Sequence, residues 1–168
     1  GLDLGVEWKG IDFSMFWQGV AKRDLWLDGL MFWGISGGEW QSTGLKEHLD
    51  YYRPENTTSV FGPNTNAYFP KMYMSKDMNQ KVQTRYLQNG AYARLKNIQL
   101  GYTFPTQIIN KLHMQKLRVY VSAENVLTIT SLPSGFDPET TYSSYSDGNS
   151  GKTYPLQTTI SFGLNATF

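Results

Sequence analysis

Strict two-residue alternation of apolar and polar side chains, runs of alternation long enough to cross a bilayer, and connections that alternate short and long predict an all-β fold. The expected architecture is a set of antiparallel membrane-crossing strands from a transmembrane β-barrel, carrying long extracellular loops. An extended chain points successive side chains to opposite faces, so unbroken alternation gives one apolar and one polar face. A spanning strand needs about 9–11 residues, against about 5–6 in a soluble sheet.

Five segments carry the pattern. In the first, about 2–8, Leu2, Leu4, Val6 and Trp8 alternate with Asp3, Gly5 and Glu7. A tight Lys9-Gly10 turn leads to the second, about 11–19, where Phe13, Met15 and Trp17 alternate with Asp12, Ser14, Phe16 and Gln18. The third, about 92–104, sets Ile98, Leu100, Tyr102 and Phe104 against Gln99, Gly101 and Thr103. Upstream of Ile98 the phase slips, because Leu95 is apolar three residues earlier; a β-bulge near Lys96 and Asn97 explains the slip. The fourth, about 116–126, alternates Leu117, Val119, Val121 and Ala123 with Arg118, Tyr120, Ser122 and Glu124. The fifth, about 157–168, alternates Ile160, Phe162, Leu164, Ala166 and Phe168 with Thr159, Ser161, Gly163, Asn165 and Thr167. In a barrel wall, Val119, Val121, Ile160, Phe162 and Leu164 face lipid.

The links complete the expectation. Residues 9–10 and 105–115 are short, the latter with a helical turn at Ile108, Ile109 and Leu112. Residues 20–91 and 127–156 are long. Compact soluble domains seldom hold loops of that length, whereas outer-membrane barrels have short periplasmic turns and long extracellular loops. With the short turns periplasmic, Trp8, Tyr102, Phe104 and Phe168 lie at the periplasmic boundary, where aromatic girdles sit. The 20–91 loop holds a Trp- and Gly-rich stretch (Leu25 to Trp40), a short helix from Leu45 to Tyr52 ended before Pro54, and an aromatic run from Asn64 to Tyr73. That aromatic density argues against disorder.

Composition narrows the functional classes. The chain has 168 residues, no cysteine and a net charge of +1. Disulfides and thiolate chemistry are therefore excluded, and a nucleic-acid partner lacks the basic excess it needs. Charged residues are 17% and aromatics 15%, and no apolar run approaches a spanning helix. The chain opens at Gly1 with no visible signal peptide, as expected of a mature chain or a fragment.

Several strings resemble one family. They are NGAYARLKNIQLGYTFP at 89–105, LRVYVSAENVLTIT at 117–130, GFDPE at 135–139 and YPLQTTISFGLNATF at 154–168, with WQSTGLKEHLDYYRPENT at 40–57 and NAYFPK at 66–71. In order and spacing they resemble the C-terminal end of SusC/RagA-family TonB-linked outer-membrane proteins. Departures are small: Gln157 stands where the family often has Pro, and Ala166 where it often has a larger aliphatic. The resemblance implies a barrel of about 22 strands, of which this chain supplies roughly the last five, in a multi-pass protein of the bacterial outer membrane. It also implies a SusD-like surface lipoprotein as lid, the TonB complex reached through a segment upstream, outer-membrane lipid, and the barrel-assembly machinery as partners. The implied activity is TonB-dependent import of oligosaccharides or peptides, without a cofactor. The terminal Phe168 resembles the aromatic residue that the assembly machinery recognises; it also completes the lipid-facing row.

Motifs with other chemistries carry less weight. Gly34-Ile35-Ser36-Gly37-Gly38 fits the nucleophile-elbow pattern but lacks the strand and helix that motif requires. His48 and His113 belong to no metal-ligand spacing and read as solvated loop residues. Asp137, Glu139, Asp147 and Asn149 lack calcium-loop spacing and read as a solvated acidic loop. Trp26, Trp33, Trp40, Tyr51, Tyr52, Tyr142 and Tyr145 have two readings. Their flat apolar faces suit cargo or a lid protein; equally, they pack the loops. An alternative to the importer is a soluble all-β carbohydrate- or protein-binding module. An outer-membrane enzyme lacks any catalytic set.

Overall fold

A computed structural model describes residues 1–34, 44–73, 78–141 and 153–168. The chain divides into two compact units, each built from distant parts of the sequence.

The first unit comprises residues 1–23, 90–131 and 156–168. Among the described residues it is a five-stranded antiparallel sheet of β1 (Leu2–Trp8), β2 (Ile11–Val20), β5 (Tyr92–Thr103), β6 (Lys116–Thr130) and β7 (Thr159–Thr167), in that order. The strands β3 (Asp24–Trp26) and β4 (Leu87–Asn89) belong to the second unit. Every neighbouring pair is antiparallel, as the alternation and short turns require. β1 and β2 join through a two-residue turn in which Lys9 (φ 47°) and Gly10 (φ 85°) both adopt positive φ. That is the turn whose twist matches a right-handed hairpin. Gly10 is needed twice over: it adopts φ 85°, and a Cβ there would lie 2.6 Å from the Thr103 carbonyl oxygen, while its own carbonyl accepts the Thr103 N–H at 2.7 Å.

The phase slip in β5 is a bulge. Against β2 the register runs Asn97↔Phe16 and then Leu95↔Trp17, leaving Lys96 over. Against β6 it runs Asn97↔Glu124 and then Leu95↔Leu127, leaving Asn125 and Val126 opposite Lys96. Asn125 has φ 52°, a left-handed conformation that asparagine tolerates. The bulge also corrects two strand ends. Where the sequence predicts an end near 126, β6 continues to Thr130, because Leu127 to Thr130 pair with Leu95 to Tyr92 beyond the bulge. β7 starts at Thr159 rather than 157. The Gln157 carbonyl accepts Asn125 Nδ2 at 3.1 Å, and Thr158 Oγ1 donates to the Asn125 carbonyl at 3.0 Å, in place of ladder bonds. The 105–115 link holds one helical turn, α2 (Thr106–Ile109), and a 3-10 turn at Asn110–Leu112, with Ile109 buried.

The second unit comprises residues 24–89 and 132–155, the bulk of both long links. β3 (Asp24–Trp26) pairs antiparallel with β4 (Leu87–Asn89). A single turn, α1 (Leu30–Trp33), follows β3. The core is Leu25, Leu27, Phe32, Trp33, Tyr86, Leu132 and Phe136, with Trp26, Met31 and Phe69 packed against it. The helix expected from Leu45 to Tyr52 is only a 3-10 turn, Lys46–Leu49. From Asp50 onward the backbone bonds elsewhere: Tyr52 N–H to Phe69 O, Arg53 N–H to Asn64 O, and Phe69 N–H to Asp50 O, each 3.0 Å. Those long-range bonds displace the i→i+4 ladder.

Candidate functional site

Strand register turns alternation into two surfaces. Val6, Phe13, Leu100, Val121 and Phe162 form one lateral row, and Trp8, Ile11, Tyr102, Val119 and Leu164 form the next. Leu4, Met15, Ile98, Ala123 and Ile160 form a third. This face is bare at its outer strands: Phe162 is 83% exposed, Val6 65%, and Ile160 and Leu164 63% each. Val119 is also exposed and Val121 half-buried. A contiguous exposed apolar face of three such rows marks contact with another protein or with lipid. Phe168 follows the last strand and is exposed as well.

The opposite face is polar and internally braced. Glu7, Asp12, Gly101, Tyr120 and Gly163 share one lateral row. From the neighbouring row, Arg118 reaches across β5 to Asp12: its Nε donates to Asp12 Oδ1 at 2.9 Å, and its Nη2 pairs with Oδ2. Only glycine at 101 leaves room, since a Cβ there would sit 2.5 Å from both the guanidinium and the carboxylate. The Arg118 guanidinium also lies 4.8 Å from the Tyr120 ring centre, and that ring covers Gly163. Two glycines thus let one aromatic and one ion pair bridge β2, β5, β6 and β7. Near the short turns this face opens into a concavity of about 650 Å³, bordered by Glu7, Lys9, Thr103 and Lys116. Sequence reasoning misses Asp12 and Arg118, because 106 positions separate them and only the register brings them together.

The loop aromatics fall in several places. Trp33 is buried at 1% exposure, edge-on to Phe32 (5.1 Å) and Tyr86 (4.9 Å). Its position serves packing, and it offers no open face to a ligand. Trp26 is half-buried, 6.1 Å from Trp33. Tyr51 makes an isolated bridge to Phe69 and carries the Arg53 guanidinium 4.6 Å above its ring. Tyr52 is 40% exposed. Trp40, Tyr142 and Tyr145 lie outside the described residues, as do Asp147 and Asn149.

Two expectations are corrected. His48 is buried at 3% exposure, not solvated. Its Nδ1 accepts the Leu45 N–H at 2.8 Å, so the ring proton sits on Nε2, which donates to the Phe32 carbonyl at 3.0 Å. Gly34, with φ 57°, packs against that ring; a Cβ there would lie 2.5 Å from Nδ1. Of the Gly34–Gly38 motif, Gly34 alone is described, and it serves this contact. Asp137 is also buried; its Oδ1 accepts the Glu139 N–H at 2.8 Å and its carbonyl the Thr141 N–H at 2.9 Å, forming a closed turn. His113 is exposed. Among the described residues no group of three His, Asp or Glu could hold a metal ion.

Arg53, which the sequence does not single out, organises the 49–64 segment. Its Nε donates to Gly62 O at 2.6 Å and its Nη1 to Leu49 O at 2.8 Å.

Known proteins resemble the chain along its whole length. TonB-dependent receptor P3 of Formosa agariphila is 27% identical over 175 residues, covering all of this chain. TonB-dependent receptor P26 of the same organism is 25% identical over 174 residues, again with full coverage. The chain spans only 16% of the length of each of these relatives. Among solved structures, the RagAB peptide transporter superposes with a TM-score of 0.65 at 26% identity, over 99% of this chain and 17% of that one. The RagAB peptide importer in its 'open-open' state gives 0.63 at 24% identity, over 99% and 16%. No family model matches the chain.

Proposed function

We propose that this chain is a segment of a TonB-dependent receptor of the SusC/RagA kind, the proteins it resembles along its whole length, and that it forms part of the barrel wall and of the extracellular loops of an outer-membrane nutrient importer. One observation carries the reading: a continuous apolar face across five antiparallel strands, backed by a polar face with its own ion pair. Lipid is the partner that satisfies the first face and a wet lumen the second. In a soluble module those side chains would lie against a second layer, yet Phe162 and Leu164 stand open. Four of the five strands, at 9 to 15 residues, also exceed what a soluble sheet uses.

On this reading Val119, Val121, Ile160, Phe162 and Leu164 face lipid, and Trp8, Tyr102, Phe104 and Phe168 lie at the periplasmic rim. Loops 20–91 and 127–156 are extracellular. Turns 9–10 and 105–115 are periplasmic. Phe168 carries the signal read by the barrel-assembly machinery. A SusD-like lipoprotein covers the outer mouth, and the TonB complex engages a part of the protein upstream of this segment. The work done is binding and passage, not bond chemistry. Cargo is oligopeptide or oligosaccharide.

The test is uptake by cells. A strain deleted for the full-length gene should lose energised uptake of either labelled oligopeptides or labelled oligosaccharides, and the intact gene should restore it only when TonB is present. Uptake of both classes at the parental rate after deletion refutes the importer. Deleting Phe168 from the full-length protein should lower the amount inserted in the outer membrane; unchanged insertion refutes the assembly role.

A further inference from the structure

We propose that a cavity in the second unit is a subsite for a basic side chain of a peptide cargo, an inference that rests on the import reading above and narrows its cargo class. The cavity measures about 320 Å³, at the small end of ligand pockets and ample for one side chain. Met31, Phe32, Leu45 and Phe69 supply an apolar wall, and the exposed residues Glu47 and Asp50 line the same cavity and give it negative charge. Among the described residues no lysine or arginine lines it. An apolar wall joined to negative charge matches the aliphatic stem and cationic head of lysine or arginine.

The site is pre-formed. His48 ties two of its walls together, accepting from Leu45 N–H and donating to the Phe32 carbonyl. Asp50 is fixed in place: its Oδ1 accepts Asn64 Nδ2 at 2.8 Å and its Oδ2 the Tyr68 N–H at 3.2 Å. A ligand meeting fixed walls loses less affinity to ordering them. The same geometry disfavours a sugar, which needs an open ring face and free hydrogen-bonding groups. Phe32 is buried and edge-on to Phe69 (5.6 Å, 67°), Tyr68 is edge-on to Phe69 (4.9 Å, 85°), and the Tyr68 hydroxyl already accepts from Gln88 Nε2 at 2.9 Å.

Purified full-length receptor, with its lipoprotein, should be titrated with hexa-alanine peptides carrying lysine, norleucine or alanine at the third position. Maltohexaose serves as the oligosaccharide probe. The wild type should bind the lysine peptide about fivefold more tightly than the norleucine peptide, the scale of a partly solvated charge pairing. Glu47→Gln, which keeps the shape, should erase most of that preference. Ser134→Trp, which fills the cavity from its exposed rim, should bring the lysine and norleucine peptides down to the alanine level. Unchanged melting temperature and membrane yield certify the folding of both variants. Equal binding of the lysine and norleucine peptides by wild type, or a preference untouched by either variant, overturns the subsite. Binding of maltohexaose but of no peptide overturns the subsite and leaves the importer standing. Binding of no probe, together with unaltered cellular uptake after gene deletion, overturns both.

Discussion

The two units use the same kinds of residue in opposite ways. In the sheet the large apolar side chains stand outward, Phe162 at 83% exposure; in the loop unit they close on one another, Trp33 at 1% and Leu27 at 0%. The polar residues differ in part, though the sheet also buries Arg94, whose Nε donates to Thr128 Oγ1. The sheet keeps Asp12 and Arg118 on a solvated face, while the loop unit buries His48, Arg53 and Asp137 among backbone partners. The difference teaches what each unit treats as its solvent. The loop unit excludes water by building a core of its own, whereas the sheet leaves its apolar area, at roughly 25 cal/mol per Å², to be covered by something that is not water.

The comparison breaks most visibly at the loop core. Trp33→Ala in the full-length protein should cost that unit about 3–5 kcal/mol, read as rapid protease cleavage within 24–89 while the strands stay protected. Loss of protection in the five-stranded sheet instead would mean that the two units do not fold independently. Next is sidedness. If the apolar face meets lipid, Val121→Arg should cost about 2–4 kcal/mol near the bilayer midplane, and Leu164→Arg, one row nearer the Trp8–Tyr102 rim, less, both measured by reversible unfolding in vesicles. Ser122→Arg and Asn165→Arg, on the polar face, should cost far less; equal losses on both faces refute the assignment.

A smaller effect sharpens the polar face. Gly163→Val places methyls inside the Tyr120 ring and should cost about 1–3 kcal/mol as overpacking, relieved by pairing it with Tyr120→Ala. The least is expected of Asp12→Asn, which leaves Arg118 without its counter-charge on a partly solvated surface. That change should cost about 0.5–1 kcal/mol, shrinking further at high salt. An effect independent of salt would point to shape rather than charge.

The sheet was legible because its information is local. The faces of Leu117, Val119 and Val121, the Lys9-Gly10 turn and the bulge at Lys96 follow from which neighbours alternate and where the phase slips. The ends of β6 and β7 were not, because Asn125 trades ladder bonds for Gln157 and Thr158, a contact between distant positions. The loop unit was mostly illegible. Its turns have no period, so nothing near His48 marks it as the buried tie between Leu45 and Phe32. The residues proposed to receive cargo are less visible still, since Met31, Glu47 and Phe69 meet only after the chain has folded back.

By itself the sequence determined that five segments are extended, which side of each is apolar, and where tight turns replace long loops, because side-chain direction in a strand depends on nothing beyond the strand. Tertiary structure alone decided which histidine is buried, which glycines admit the Asp12–Arg118 pair and the Tyr120 ring, and that a cavity opens beside Phe69. Those outcomes depend on which distant segments touch, and contacts between segments far apart leave no periodic trace in either one.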